Sequence, residues 1–141
     1  MFFGSYNHQL DDKGRLRLPA KFRNELGGSF MCLKGYNDTV MVCSHEKFEH
    51  ICNEYMKTSA SNIEAQEALV ELTSTALDIV EDSQGRFVLP DYLKEYASIE
   101  KNVVIKGVID RIEIWSEKAH LERTTDKSFN DIIKKLDIGT F

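Results

Sequence analysis

The chain reads as a mainly β, α+β protein built from two copies of one module that share a core. Three observations predict this. First, Asp11-Asp12-Lys13-Gly14-Arg15-Leu16-Arg17-Leu18-Pro19 returns as Asp82-Ser83-Gln84-Gly85-Arg86-Phe87-Val88-Leu89-Pro90, 71 residues later. Second, the echo continues downstream. Leu33-Lys34-Gly35 matches Ile105-Lys106-Gly107 at an offset of 72, and Asp38-Thr39-Val40-Met41-Val42 matches Asp110-Arg111-Ile112-Glu113-Ile114. Third, a copy of about 45 residues rarely buries enough apolar surface to stand alone, so the two should fold together. A long period with only two copies is a duplication, not a solenoid.

The elements follow in order. Phe3 to Leu10 mixes aromatic and polar residues and predicts a strand. Asp11 to Gly14 predicts a tight turn, with Asp at its start and Gly at its end. Arg15-Leu16-Arg17-Leu18 alternates charged and apolar, so the leucines face a core and the arginines face out. Pro19 suits the first turn of a short helix carrying Phe22 and Leu26, which Gly27-Gly28 ends. Strands at 30–34 and 39–43 form a hairpin through Gly35 to Asp38. The second copy repeats the order, with strands at 76–81, 86–89, 102–106 and 111–115 and a short helix from Pro90. Three further helices are expected. One is capped by Ser44 and carries Phe48, Ile51 and Tyr55. One runs from Ser61 to about Thr73. The last, Ser128 to Leu136, places Phe129, Ile132, Ile133 and Leu136 on one face, which must pack on this core or on a neighbouring subunit.

Net charge is −5 over 141 residues, which alone argues against a polyanionic partner. Its distribution argues otherwise. Residues 13–23 hold Lys13, Arg15, Arg17, Lys21 and Arg23 and no acid, leaving −10 on the other 130 residues. The matching window 84–94 holds only Arg86, Lys94 and Asp91. Screening confines each field to roughly 8–10 Å at physiological salt, so a local basic patch can bind phosphates on an acidic whole. Three cysteines, an odd number, and no secretory pattern point to a reducing cytosol. No apolar run approaches the roughly 20 residues of a membrane span.

The Asp-x-x-Gly-Arg turn is the candidate site. Asp11 and Asp82 brace the turns, and Gly14 and Gly85 take backbone angles other residues resist. Arg15 and Arg86 then project from a sheet rather than a loop, ready for bidentate contact with phosphate or guanine. The group Cys43, His45, His50 and Cys52 has no zinc-ligand spacing, and His45 and His50 diverge on a helix, so no metal or cofactor is expected. No nucleophile elbow, phosphate loop, dinucleotide fingerprint or metalloprotease motif occurs, so no enzyme is expected.

The doubled Asp-x-x-Gly-Arg-(apolar)-x-(apolar)-Pro resembles the AbrB-type swapped-hairpin DNA-binding fold. Two copies in one chain, Met1-Phe2-Phe3-Gly4 at the start and Ile112-Glu113-Ile114-Trp115 near the end of copy two resemble the MraZ family. The resemblance covers about residues 1–120. It implies two modules, 5–47 and 76–119, exchanging hairpins in an intrachain pseudo-dimeric barrel, with a helical connection at 48–75 and a helical tail at 120–141. It further implies a cytoplasmic, nucleoid-associated repressor of its own division and cell-wall operon. Such a protein binds direct repeats in promoter DNA as an octameric or dodecameric ring. On this reading Arg15 is the main base reader, Lys13 reaches base or phosphate, and Arg17, Lys21 and Arg23 hold phosphates. Arg86 contributes from the second loop. An AbrB-fold antitoxin or a structural interaction protein are the alternatives.

Overall fold

The computed structural model describes residues 1–59, 61–126 and 128–136. The first copy runs β1 (Ser5–Gln9), β2 (Arg15–Arg17), α1 (Ala20–Leu26), β3 (Ser29–Lys34) and β4 (Val40–Cys43). Two helices follow, α2 (His45–Ser59) and α3 (Ile63–Ser74). The second copy runs β5 (Leu77–Val80), β6 (Arg86–Val88), α4 (Asp91–Tyr96), β7 (Asn102–Val108) and β8 (Arg111–Ser116), before α5 (Glu117–Asp126) and α6 (Phe129–Lys134).

Six strands form one antiparallel sheet in the order β1-β7-β8-β4-β3-β5. Each copy lends its first strand to the other: β1 lies on β7, with Tyr6 opposite Ile105, and β5 lies on β3, with Ile79 opposite Phe30. The two hairpins meet at the centre, where Met41 of β4 faces Glu113 of β8. The expected exchange is therefore present. The expected barrel is not: β1 and β5 remain the edges of an open sheet, and β2 and β6 pair separately as a two-stranded ribbon. The reason is local. β2 and β6 are three residues each. A turn precedes each, and a proline without an N–H follows two residues later, so neither can extend to bridge the edges.

The register corrects the sequence alignment of the hairpins. His8 faces Val103, and its counterpart Ile79 faces Phe30. Phe30 thus corresponds to Val103, an offset of 73, while Met31 facing Cys43 and Val104 facing Trp115 keep β4 and β8 at 72. The Leu33-Lys34-Gly35 echo is one residue out of structural step. Side-chain alternation enforces this. Phe30, Cys32, Val103 and Ile105 are all buried in the shared core, and a slip of one would turn each strand's inward set outward. The connection from α4 to β7 absorbs the extra residues.

One core joins both copies. Leu16, Leu18, Phe22, Phe87, Leu89 and Leu93 from the ribbon layer pack on Phe30, Val40, Val42, Ile105, Ile112 and Ile114 of the sheet. Phe22 meets Phe2 and Tyr6 edge-on at 5.6 and 5.4 Å, and Phe30 meets Phe87 at 5.2 Å. Truncating such a ring to alanine typically costs about 3–5 kcal/mol.

A second, smaller cluster covers the opposite face of β3 and β4, where Met31, Leu33, Met41 and Cys43 lie under Phe48, Ile51 and Leu72 of α2 and α3. Cys32 and Cys43 are buried, and desolvation pushes both thiols up to about 12, so they serve as packing residues. His45 Nε2 bonds Asp78 Oδ1 at 2.8 Å.

The helix caps refine the expected boundaries. Ser44 Oγ accepts from Lys47 N, as its position predicts. Helix α3 begins at Ile63 rather than Ser61, capped by Asn62, whose side chain accepts from Ala65 N. Helix α5 starts at Glu117, three residues before the bound expected for the tail; Ser116 Oγ accepts from Ala119 N at its start. Ser128 caps α6, whose Phe129 is 66% exposed. Part of the expected tail, residues 137–141, lies outside the described residues.

Candidate functional site

The two Asp-x-x-Gly-Arg turns are built alike. In the first, Asp11 Oδ1 accepts from the backbone N–H of Lys13 at 2.9 Å and of Arg15 at 2.8 Å. Asp11 Oδ2 accepts from Arg15 Nε at 2.6 Å. In the second, Asp82 Oδ1 accepts from Gln84 N and Arg86 N at 2.9 Å each, and Oδ2 from Arg86 Nε at 3.1 Å. One carboxylate therefore closes the turn and aims the arginine. Binding Nε leaves the two Nη groups as the fork a ligand can use. The backbone donors, Arg15 N foremost for Asp11 and Arg86 N foremost for Asp82, hold both carboxyls below their ordinary pKa. Gly14 and Gly85 sit at φ 73° and 76°, the left-handed region the turn requires.

The turns flank the β2–β6 ribbon. Leu16 and Phe87 face each other and point into the core. Their neighbours point outward, with Arg15 opposite Val88 and Arg17 opposite Arg86. The outer face is thus a two-by-two grid of three arginines and one valine. The strands run antiparallel, so the copies mix at each end. One end holds Lys13, Arg15 and Val88; the other holds Gln84, Arg86 and Arg17. This overturns the contrast drawn from linear windows. Arg17 of the basic copy lies beside Arg86 of the weakly charged one, and the first turn also carries the acid Asp12 where the second has Ser83.

The remaining cations divide. Lys13 is exposed at the tip of the first turn. Lys21 is exposed on α1, its Nζ 3.3 Å from the centre of the Phe3 ring. Arg23 sits elsewhere. Its Nε and Nη2 both lie 3.1 Å from Glu81 Oε2, and the Glu81 side chain is only 7% exposed. The guanidinium covers Gly85, where an added Cβ would come within 1.9 Å of Nη2. By pseudo-symmetry Lys94, 71 residues on, lies over Gly14, 3.4 Å from the equivalent point. Arg23 is thus a brace under the second turn. The sequence shows Gln84 in place of Lys13 and Val88 in place of Arg17; what it does not show is that pairing sets Val88 opposite Arg15 on the ribbon, with Gln84 in the turn that leads into β6.

Chemically, the face presents guanidinium forks with fixed roots on a narrow two-stranded ridge. Such forks suit planar acceptors of two hydrogen bonds, a phosphate or the O6/N7 edge of guanine.

A family model described as "MraZ protein, putative antitoxin-like" matches residues 1–71 and 73–135. The transcriptional regulator MraZ of Caldanaerobacter subterraneus subsp. tengcongensis is 37% identical over 139 residues, 97% of each chain. The protein of the same name from Mycolicibacterium smegmatis is 37% identical over 143 residues, covering 94% of this chain and 100% of its own. That of Alkaliphilus metalliredigens is 34% identical over 139 residues, 97% of each chain. With its whole doubled architecture matched in this way, the chain belongs to the MraZ family.

Proposed function

We propose that this protein is a transcriptional regulator that binds double-stranded DNA through the β2–β6 ribbon. The observation that carries the reading is the outward grid of Arg15, Arg17 and Arg86 on that ribbon, with two of the forks rooted by Asp11 and Asp82. The B-DNA major groove is about 12 Å wide and admits a two-stranded ribbon. Arg15 and Arg86 take guanine edges, while Arg17 and Lys13 reach base or phosphate. Lys21 holds phosphate beside the ribbon. Asp11 and Asp82 brace the turns and stay off the DNA, since an unpaired carboxylate repels phosphate. Arg23 supports the second turn rather than a phosphate.

The finer reading is a repressor of its own division and cell-wall operon. It acts in the cytoplasm at the nucleoid and grips direct repeats in the promoter as an octameric or dodecameric ring. One ribbon touches too few base pairs for genomic specificity, so several subunits must engage together. Exposed apolar residues on the helices, Ile63 and Val70 of α3 and Phe129 of α6, are surfaces a neighbouring subunit can cover. Footprinting on the duplex upstream of its own coding sequence, with native mass determination of the free protein, tests both parts. Regular protection of tandem repeats by a closed assembly is the expected result. Binding that is uniform along any duplex refutes the repressor reading.

A further inference from the structure

We infer that Val88 reads the C5-methyl group of a thymine next to the guanine contacted by Arg15. This rests on the DNA-binding reading above. Val88 is 56% exposed although it belongs to a strand whose neighbours Phe87 and Leu89 are buried in the core. It faces outward on the ribbon, directly opposite Arg15. Its counterpart in the first copy is Arg17, so an apolar side chain stands where the repeat places a cation.

Core packing does not require the valine, although its β-branched side chain suits a strand. A half-exposed isopropyl group adds little to the core, and a fourth cation on the grid would strengthen phosphate attraction. Recognition does account for it. In the major groove the methyl group is the apolar feature that marks thymine, and aliphatic side chains contact it. Directly opposed residues in an antiparallel pair stand about 4.5–5.5 Å apart at Cβ. Stacked bases rise about 3.4 Å per step. With the Arg15 fork on one guanine, Val88 therefore falls over an adjacent step. At the other end of the ribbon Arg17 and Arg86 stand opposed, so that end lacks this contact.

The test removes only the methyl group. The probe is the promoter duplex upstream of its own coding sequence, with each thymine of a protected repeat replaced singly by deoxyuridine. It is titrated with the wild-type protein and with Val88→Ala. One replacement is expected to weaken wild-type binding roughly fourfold per engaged subunit, the worth of one buried methylene-sized group. The same replacement should cost Val88→Ala clearly less, because alanine keeps only the Cβ of the contact. The uracil series on wild-type protein needs no variant, so a folding defect cannot mask the answer. Wild-type binding that is specific yet indifferent to every uracil overturns the inference and leaves the DNA reading intact. An equal uracil effect in Val88→Ala also overturns it, because another group then senses the methyl. Absence of any binding to the promoter overturns the DNA reading itself.

Discussion

Replacing Arg15 with alanine separates recognition from folding. The side chain is about a quarter exposed and is held through Nε by Asp11. The turn keeps its main closures without it, because Asp11 Oδ1 still accepts from Lys13 N and Arg15 N. Fold and assembly should survive. A bidentate arginine–guanine contact is worth about 1–3 kcal/mol, so each engaged subunit loses about 5- to 150-fold in operator affinity. Linking several subunits on tandem repeats multiplies that loss. Arg15→Lys is the matched control. It keeps the charge but cannot make the Nε contact to Asp11 while presenting a planar fork. Non-specific affinity should then be retained and operator preference lost. Gel-shift titration at fixed salt, with circular dichroism and native mass on the same samples, measures all three quantities. Operator affinity of Arg15→Ala within twofold of wild type refutes the assignment, and so does full preference in Arg15→Lys.

The two ends of the ribbon should contribute comparably to salt dependence. Neutralising Lys13 or Arg17 singly should flatten log K against log salt by up to about 0.9 each, measured by fluorescence anisotropy across a salt series; a large effect at Lys13 with none at Arg17 contradicts the shared grid. Gly85→Ala should destabilise more than Gly14→Ala. Each loses about 1–2 kcal/mol to positive φ, but only at Gly85 must the added Cβ dislodge Arg23 from Glu81. Equal urea midpoints for the two variants refute that coupling. Both turn carboxyls have depressed folded-state pKa values, so their stabilisation is complete above the unfolded value of 3.8 and is lost as pH falls through the lower folded value. Turn amide shifts of Lys13, Arg15, Gln84 and Arg86 followed by NMR should therefore stay constant from pH 8 to 5 and move only in the acid limb. Movement near neutral pH contradicts the assignment.

Local features were legible in the chain, and tertiary ones were not. Asp11-x-x-Gly14-Arg15 announces its own turn because the bonds that close it span four residues. The inward Leu16 and outward Arg17 follow from alternation. The role of Arg23 could not be read, because its partner Glu81 lies 58 residues away and has no counterpart in the first copy, where Leu10 stands. The start of helix α5 could not be read from periodicity, because Glu-Lys-Ala-His-Leu-Glu-Arg shows no apolar stripe; its cap, Ser116, was the local signal. The contrast of charged windows misled because charge was counted along the chain. Antiparallel pairing of β2 with β6 carries Arg17 across to Arg86 and Val88 across to Arg15.

That crossing bears on the kind of site the protein can read. A ribbon made by two identical chains has a true two-fold axis, and such symmetry is mirrored in a palindromic target. Here both strands come from one chain, so the halves were free to diverge. They did so at the two exposed positions that matter most, Lys13 against Gln84 and Arg17 against Val88. Each half kept the Asp–Gly–Arg machinery that roots a fork. The result is a pseudo-symmetric ridge with a direction: one end offers a lysine and a valine beside its rooted arginine, the other a glutamine and a second arginine. Under the proposed reading, such a ridge distinguishes the two orientations of a short site. Units that read in one orientation, joined in one assembly by repeated head-to-tail contacts, meet sites that repeat in one orientation. On that proposal, direct repeats rather than inverted ones are the expected targets of the fused and unequal ribbon.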